Sequence, residues 1–393
     1  MRLKLLFFIL LIGLVGCRKQ TAVNDAFSTI DISKKYPNKE VSLQDIADIE
    51  YVALETTDTI LLDEYCKISY ISDKYIVAYQ SAKGDIFIFY RNGKISSHFN
   101  HKGQSGREYA SIIDIVFDEV NDEIFVFDNY STHRIQVYSL SGEYKRTLKY
   151  LDNLRIKGYN FDDETILVYD DNGSLNTNGL LNTFSEMPYQ LLSKKDGSLI
   201  FVLNIKFPVR YSYFATVESQ RNGQKFNNKF SIPLPNNRSY GKDFIIMDIS
   251  SDTVYKFSEN KELDILLVRN KMINRSYDKF TGWTSVLTTD KFTVFITVTG
   301  DENNFYLPKD TLMHNFITRE TNRITFINDD FPSEKWSPAI GVQFSQKNLA
   351  ANFILIPNIY DAYNDKKLKG ELEKIAAKMD IEDNPIVMIV KFK

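Results

Sequence analysis

Short apolar runs alternate with turn residues along most of the chain, which indicates β-strands joined by hairpins. The first clear strand-like runs cover residues 75–79 and 85–90, and a turn over 91–94 follows with Asn92-Gly93 at its centre. Asn-Gly is a strong hairpin signal because both residues tolerate the positive φ angles of a two-residue turn. The pattern therefore predicts an exit strand over residues 95–99.

The same arrangement returns about forty residues further along the chain. A repeat near that length with four strands per unit is typical of β-propeller blades. The second unit is the more regular one, and weaker strand-like runs continue towards the C-terminus. The predicted strands of these units are 112–117, 123–128, 134–139, 144–148, 165–169, 199–203, 244–249, 253–257, 292–299 and 323–327.

The end of the chain combines one helix and one strand. Residues 368–379 have apolar side chains on one helical face and charged residues on the other. The strand-like segments 50–54 and 386–392 have no partner in sequence order. A propeller must join its first and last blades or leave sheet edges exposed. We therefore expect both segments to share the last blade, with the helix packed beside it.

The N-terminus has the features of an export signal. Arg2 and Lys4 precede an apolar run from Leu5 to Val15, which is much shorter than the roughly 20 residues of a membrane-spanning helix. A charged start and a short apolar stretch are typical of a secretory signal peptide. The sequence Leu14-Val15-Gly16-Cys17 resembles the lipobox of bacterial lipoproteins, and this resemblance implies cleavage before Cys17 and lipidation of its thiol. The alternative is an ordinary signal peptide with an incidental cysteine.

These observations divide the chain into a signal peptide over 1–16, a lipidated tether over 17–40 and a propeller over 41–393. The two cysteines are Cys17 and Cys66. If Cys17 carries lipid, no internal disulfide can form. Cys66 lies next to a strand-like run and is expected to be buried and unreactive.

Composition and charge narrow the class of protein. The chain of 393 residues is 43% hydrophobic and contains 28 Phe and 23 Tyr, which favour strands. The formal net charge is −3, from 48 basic and 51 acidic residues. Such a balance lacks the basic surface that nucleic-acid binding requires, so no nucleic-acid partner is expected.

One repeat resembles an NHL-type propeller blade, on the segments 103–109, 112–118, 124–128, 133–138 and 142–144. The wider chain is similar to the six-bladed β-propeller lipoproteins of Bacteroides-type bacteria, on the segments 43–56, 106–109 and 383–390. This resemblance implies an all-β, six-bladed fold with one short C-terminal helix, and no defined biochemical role. After Cys17 the chain reads Arg18-Lys19-Gln20, without the acidic cluster associated with surface display. An outer-membrane lipoprotein that faces the periplasm is therefore favoured over one on the cell exterior.

Candidate ligand contacts lie in three places. The loop Gly103–Tyr109 lacks the Lys-Ser/Thr ending of a phosphate loop, and its glycines are expected to provide positive φ in a tight crossing between blades. Asp128 and Arg134 bracket a turn, which they either tie within the blade or present to a ligand. Two tryptophans in predicted loops are candidates for stacking on sugar rings. The candidate binding residues are Arg107, Glu108, Tyr109, Asp128, Arg134, Trp283 and Trp336.

No catalytic residue, metal ligand or cofactor is predicted from motifs. The four histidines lack zinc-site spacing, and the Gly-x-Ser-x-Gly elbow of serine hydrolases is missing. Enzymatic activity stays an open question at this point, with a non-catalytic role favoured. The first hypothesis is an envelope module that binds or scaffolds a protein, peptide or glycan. The alternative is a metal-assisted hydrolase or lyase of the lactonase-like propeller type, with Asp, Glu, Asn or His ligands from several blades around a calcium-type ion on the axis.

Overall fold

The fold comes from a computed structural model of the chain. It describes residues 28–393 apart from 129–133, 151–155, 171–186, 208–213, 222, 232–236, 249–250, 270–279, 301–306, 333 and 340. The sequence-predicted signal peptide and Cys17 lie outside the described residues.

Six β-sheets follow one another as the blades of a propeller, which confirms the six-bladed all-β prediction. Blades 1 to 3 are four-stranded antiparallel sheets whose strands occur in chain order from the inner to the outer edge. Blade 1 contains β4 (Lys67–Ile71), β5 (Tyr75–Gln80), β6 (Asp85–Tyr90) and β7 (Ile95–Asn100). Blade 2 contains β8 (Ile112–Asp118), β9 (Glu123–Asp128), β10 (Arg134–Ser139) and β11 (Tyr144–Lys149). Blade 3 contains β12 (Ile156–Asn160), β13 (Thr165–Asp170), β14 (Tyr189–Ser193) and β15 (Leu199–Val202).

Blades 4 and 5 have the same antiparallel arrangement, and each gains a parallel strand on its outer edge from the N-terminal part of the chain. Blade 4 contains β18 (Asn237–Tyr240), β19 (Asp243–Met247), β20 (Thr253–Phe257) and β21 (Leu263–Arg269), with β1 (Ser28–Ile30) outside β21. Blade 5 contains β22 (Phe280–Thr288), β23 (Phe292–Gly300), β24 (Leu307–Asn315) and β25 (Thr321–Ile327), with β2 (Asn38–Ser42) outside β25. The two-residue strand β26 (Lys335–Trp336) also pairs with β25.

The segment over 17–40, which the sequence analysis assigns to a tether, therefore contributes strands to the propeller from Ser28 onward. The sequence did not indicate these strands, because a short edge strand needs no alternation of apolar and polar residues.

Blade 6 closes the ring with strands from both ends of the chain. It contains β28 (Leu349–Ile354), β29 (Ile386–Phe392) and β3 (Ala47–Ala53). The C-terminal strand β29 lies between the other two and pairs with β3 from Ile386 opposite Ala53 to Phe392 opposite Ala47. The prediction that the first and last strand-like segments share the last blade is confirmed.

Three helices are present in the described residues, where the sequence analysis expected one. They are α1 (Leu43–Ile46), α2 (Ile356–Asn364) and α3 (Gly370–Ala376). Helix α3 lies within the predicted segment, and Leu368, Leu372 and Ala376 pack into the core around blade 6. The sequence pattern missed α2 because its residues, IPNIYDAYN, include several poor helix formers.

A separate hairpin, β16 (Phe214–Arg221) and β17 (Gln224–Ser231), follows blade 3 and forms its own two-stranded sheet. The hydrophobic core lies between neighbouring blades: Val77 and Ile88 of blade 1, for example, pack in one cluster with Ile115 and Phe117 of blade 2. Cys66 is a free, buried cysteine, and burial raises the pKa of its thiol, in agreement with the expected unreactive role.

Candidate functional site

The predicted site residue Tyr109 ends the loop between blades 1 and 2 and is fully buried. Its hydroxyl donates to the carbonyl oxygen of Gly84 at 2.7 Å and accepts from the backbone N–H of His101 at 3.0 Å. Burial raises the pKa of the Tyr109 phenol. Tyr109 therefore fastens the loop to blade 1.

Two neighbouring residues in the same loop differ in their surroundings. The Glu108 carboxylate accepts from the backbone N–H of Ser105 at 2.8 Å, and this bond lowers the pKa of Glu108. Arg107 is exposed, and its guanidinium lies 5.2 Å from the centre of the Tyr144 ring. Of the three predicted residues in this loop, Arg107 is the most exposed.

Blade 2 holds the loop through side chains of β9 and β10. The Gln136 amide donates to the carbonyl oxygen of Gly106 at 3.0 Å, and Arg134 donates to the same oxygen at 3.5 Å. The Asp128 carboxylate accepts from the backbone N–H of Ala110 at 3.0 Å. Asp128 and Arg134 thus bond to the loop between blades, and the turn between these two residues lies outside the described part of the chain.

The glycines of this loop do not have the expected conformation. Positive φ occurs at Gly93, at +83° in the predicted hairpin turn of blade 1, and at Gly142, at +86° in the corresponding turn of blade 2. Gly103 and Gly106 have no positive φ. A Cβ atom at Gly103 would collide with the Glu108 carboxylate, so close approach of that side chain accounts for glycine there.

Trp283 corrects a prediction, because it lies on a strand and not in an exposed loop. It belongs to β22, the innermost strand of blade 5, and has no exposed surface. Its indole N–H donates to the carbonyl oxygen of Ser251 at 3.2 Å, and its ring contacts Phe295. Stacking of a sugar on Trp283 is excluded by this burial.

The inner space of the ring contains a short part of the chain that connects blade 5 to blade 6. Its short strand β27 (Gln343–Phe344) pairs in parallel with β4 of blade 1. The Gln343 side chain accepts from the backbone N–H of Asn160 at 3.0 Å and donates to the carbonyl oxygen of Gly158 at 3.3 Å, both in blade 3. Strand β27 also contacts β18 of blade 4, which is opposite blade 1 in a ring of six. These contacts place β27 across the propeller axis.

A half-buried carboxyl group, that of Asp114, lies on the inner strand of blade 2. Burial raises the pKa of Asp114 to about 6, although Lys157, the backbone N–H of Ile115 and Lys67 favour the charged form. Both lysines belong to inner strands, β12 and β4. The inner surface thus holds a carboxyl group whose pKa is raised by desolvation.

Among the described residues, no three His, Cys, Asp or Glu side chains lie close enough together to hold a metal ion. Three histidines have separate partners: His98 bonds to Asp85 at 3.0 Å, His101 to the carbonyl oxygen of Gly142 at 2.6 Å, and His314 to the Thr321 hydroxyl at 2.9 Å. His133 lies outside the described residues.

Trp336 lines a cleft at the seam between blades 5 and 6, with a volume of about 280 Å³. It lies on β26 and is only 8% exposed, so it too is a strand residue and not an open stacking platform. Its indole N–H donates to the Asn352 side-chain oxygen at 2.5 Å. Apolar side chains form the floor of this seam cleft with it: Phe331, Ile354 and Met388.

Polar groups surround the rim of the seam cleft. Glu334, Lys335, Ser337 and Asn358 are exposed there, and none of these side chains has a hydrogen-bond partner within the described residues. Partial burial against the cleft wall raises the pKa of the Glu334 carboxyl. An apolar floor with a few polar groups at its rim is a common composition of a ligand pocket.

Hydrogen bonds between side chains of blades 5 and 6 lie at the back of the seam cleft. The Asn328 amide bonds to the Tyr51 hydroxyl at 2.9 Å and accepts from Gln44 at 2.8 Å, which joins blade 5 to the N-terminal part of blade 6. Sequence reasoning singled out only Trp336 from this region. The adjacent run Glu334-Lys335-Trp336-Ser337 was a usable signal, since charged and hydroxyl residues surround an aromatic residue there.

The chain is a six-bladed β-propeller in which β27 lies across the axis and the seam cleft lies between blades 5 and 6. The chain belongs to a family described as a domain of unknown function, DUF4934, whose sequence model matches residues 27–391. A comparison with curated proteins finds no match.

Solved structures show similar folds. A protein from Bacteroides fragilis that is described as a putative exported protein has 13% identity and a TM-score of 0.58, over 91% of this chain and 99% of that one. A DUF4221 member from Bacteroides vulgatus has 10% identity and a TM-score of 0.42, over 89% and 99%. Virginiamycin B lyase from Staphylococcus aureus has 10% identity and a TM-score of 0.37, over 87% and 99%, which is too distant for any argument about function. No helix among the described residues is long and apolar enough to cross a membrane.

Proposed function

We propose that this protein is an envelope-anchored lipoprotein whose propeller is a non-catalytic binding module for a protein, peptide or glycan. The observation that carries the proposal is the seam cleft, which combines an apolar floor at Trp336 with free polar groups at its rim. Its volume of about 280 Å³ suits one small group of a larger ligand, such as a side chain or a sugar unit. Arg107, in the loop between blades 1 and 2, supplies a second exposed contact.

The anchor is the lipid on Cys17, and the proposed location is the outer membrane, facing the periplasm. The lipobox-like sequence before Cys17 supports the anchor. The similar fold of a Bacteroides fragilis protein described as exported supports a place in the envelope.

A metal-assisted hydrolase or lyase would need oxygen ligands from several blades to converge on the axis. Strand β27 lies in that space and bonds to blades 1 and 3. No observation on the described residues favours this alternative over binding.

Ligand titration of the full lipidated protein in detergent tests the cleft. Trp336 lies in the cleft, whereas Trp283 is buried elsewhere. The emission of Trp336 should therefore change when an envelope peptide or glycan binds in the cleft. Asn358→Ala should weaken that response, while the control Asn364→Ala, on the same helix but outside the cleft, should leave it unchanged. Equal responses from both variants would count against the cleft.

The anchor has its own test. Cys17→Ser should release the protein from membranes or leave it as an unprocessed precursor. Normal membrane retention of a processed Cys17→Ser protein would contradict lipidation.

A further inference from the structure

The outer strand of blade 3 exposes a run of apolar side chains. Leu199, Ile200 and Phe201 of β15 are 45%, 53% and 37% exposed. Adjacent residues of a strand point to opposite faces, so both faces and the edge of β15 carry apolar surface. Contiguous exposed apolar surface commonly marks a site of contact with a protein or a membrane.

The outer edges of blades 1, 2, 4 and 5 lack this feature. In blades 1 and 2 the outer strands β7 and β11 read ISSHFN and YKRTLK, and their exposed positions are polar or charged. In blades 4 and 5 the N-terminal strands β1 and β2 cover the outer edge. Polar edges and covered edges are the usual protections against unwanted association, and β15 has an apolar surface instead.

The anchored end of the chain reaches the propeller beside this surface. Strand β1 is parallel to β21, with Ser28 opposite Leu267. Because the two strands run in the same direction, the chain enters β1 beside the N-terminal end of β21. This end of β21 directly follows the turn between β20 and β21. Phe257, the last residue of β20, has its ring 6.5 Å from that of Phe201 on β15. The exposed Ile265 of β21 lies between this turn and Leu267.

The connection to the anchor is short. Ten residues separate Cys17 from Ser28, and a fully extended chain of that length spans at most roughly 40 Å. A lipid on Cys17 therefore keeps the blade 3–4 side of the body close to the bilayer.

We infer that the apolar surface of Leu199, Ile200 and Phe201 is a membrane-contact surface that rests on the lipid bilayer to which the protein is anchored. This inference depends on the lipid anchor proposed above. The surface and the anchor act together, because apolar area that the folded body buries at the membrane interface adds to the membrane affinity of the lipid. The contact also orients the propeller, with blade 3 towards the lipid and blade 6, on the opposite side of the ring, towards the aqueous phase.

The test uses the full lipidated protein reconstituted into phosphatidylcholine–phosphatidylglycerol vesicles with brominated acyl chains, which quench tryptophan emission on contact. Both native tryptophans are buried, so an added surface tryptophan reports on its own position. Ile200→Trp should lose emission relative to vesicles without bromine. The matched control Ile381→Trp replaces an isoleucine that is 47% exposed in the connection between α3 and β29 of blade 6, and this variant should keep its emission. Leu199→Trp repeats the measurement if Ile200→Trp unfolds.

The outcomes separate the surface from the anchor. Quenching of Ile200→Trp but not of Ile381→Trp supports the inference. Protein that sediments with the vesicles but shows no quenching at residue 200, or equal quenching at both positions, overturns the contact surface and leaves the anchor standing. Protein that does not sediment with vesicles overturns both. Shielding of residue 200 in a dimer without quenching assigns the surface to a second copy of the chain and overturns membrane contact.

Discussion

The ammonium group of Lys194 lies 2.6 Å from a carboxylate oxygen of Asp118, and both side chains are almost completely buried between blades 2 and 3. Lys194 also donates to the carbonyl oxygen of Asp162, and Asp118 accepts from the Asn121 amide at 2.8 Å. This buried ion pair joins the two blades through groups whose hydrogen-bonding needs are met on both sides.

Lys194→Met should strongly destabilise the protein, because it leaves the Asp118 charge buried without its partner. Breaking a buried pair in this way costs about 3–5 kcal/mol. The measurement is denaturant unfolding, and the control is Lys195→Met, which removes the exposed neighbouring lysine of the same turn. Similar midpoints for the two variants would show that the pair contributes little to blade packing.

Ring closure predicts a large effect of a short truncation. Removal of residues 386–393 deletes β29, which pairs with β3 on one side and β28 on the other. Both ladders of hydrogen bonds and the burial of Val387 and Ile389 are lost together, at roughly 25 cal/mol per Å² of apolar surface. Thermal unfolding measures the loss. A truncated monomer that melts within a few degrees of the full chain would contradict this mode of closure.

Local signals account for the part of the fold that the sequence predicted. The Asn92-Gly93 turn and the strands around it depend on residues close in sequence, and the four-strand unit repeats in the same way in blades 1 and 2. Closure was also accessible, because the strand-like segments at the two ends lacked local partners.

Long-range contacts account for the part that the sequence could not predict. Strand β27 pairs with β4 across more than two hundred residues, at Gln343 opposite Tyr70. The positions of Trp283 and Trp336 depend on distant partners, so apparent loop context gave the wrong exposure. The seam cleft combines β26, β28 and α2 with Met388 of β29, and no local pattern indicates that these segments meet.

The axial position of Gln343 makes a specific stability prediction. Gln343→Ala should leave the backbone N–H of Asn160 and the carbonyl oxygen of Gly158 without this side-chain partner, at a cost of about 1–3 kcal/mol per buried group. Gln346→Ala is the matched control, because it removes a bond to the exposed Asp73 side chain. If both variants shift the unfolding midpoint from that of the native protein by the same small amount, the hydrogen bonds of Gln343 do not contribute to holding the blades together.

The carboxyl group of Asp114 predicts a pH-dependent stability difference. Burial raises its pKa to about 6, so the folded protein holds this proton more tightly than the unfolded chain does. The resulting stabilisation is complete below the unfolded value of about 4 and is lost as the pH rises through about 6.

Asp114→Asn removes this dependence. The free energy of unfolding of the variant, relative to that of the native protein, should therefore be higher at pH 7.5 than at pH 4, by about 1–3 kcal/mol. Chemical unfolding at both pH values measures this gain, and Asp163→Asn, at an exposed position, controls for the loss of one negative charge. A stability difference between Asp114→Asn and the native protein that is the same at both pH values would show that the carboxyl group is not desolvated by the inner strands.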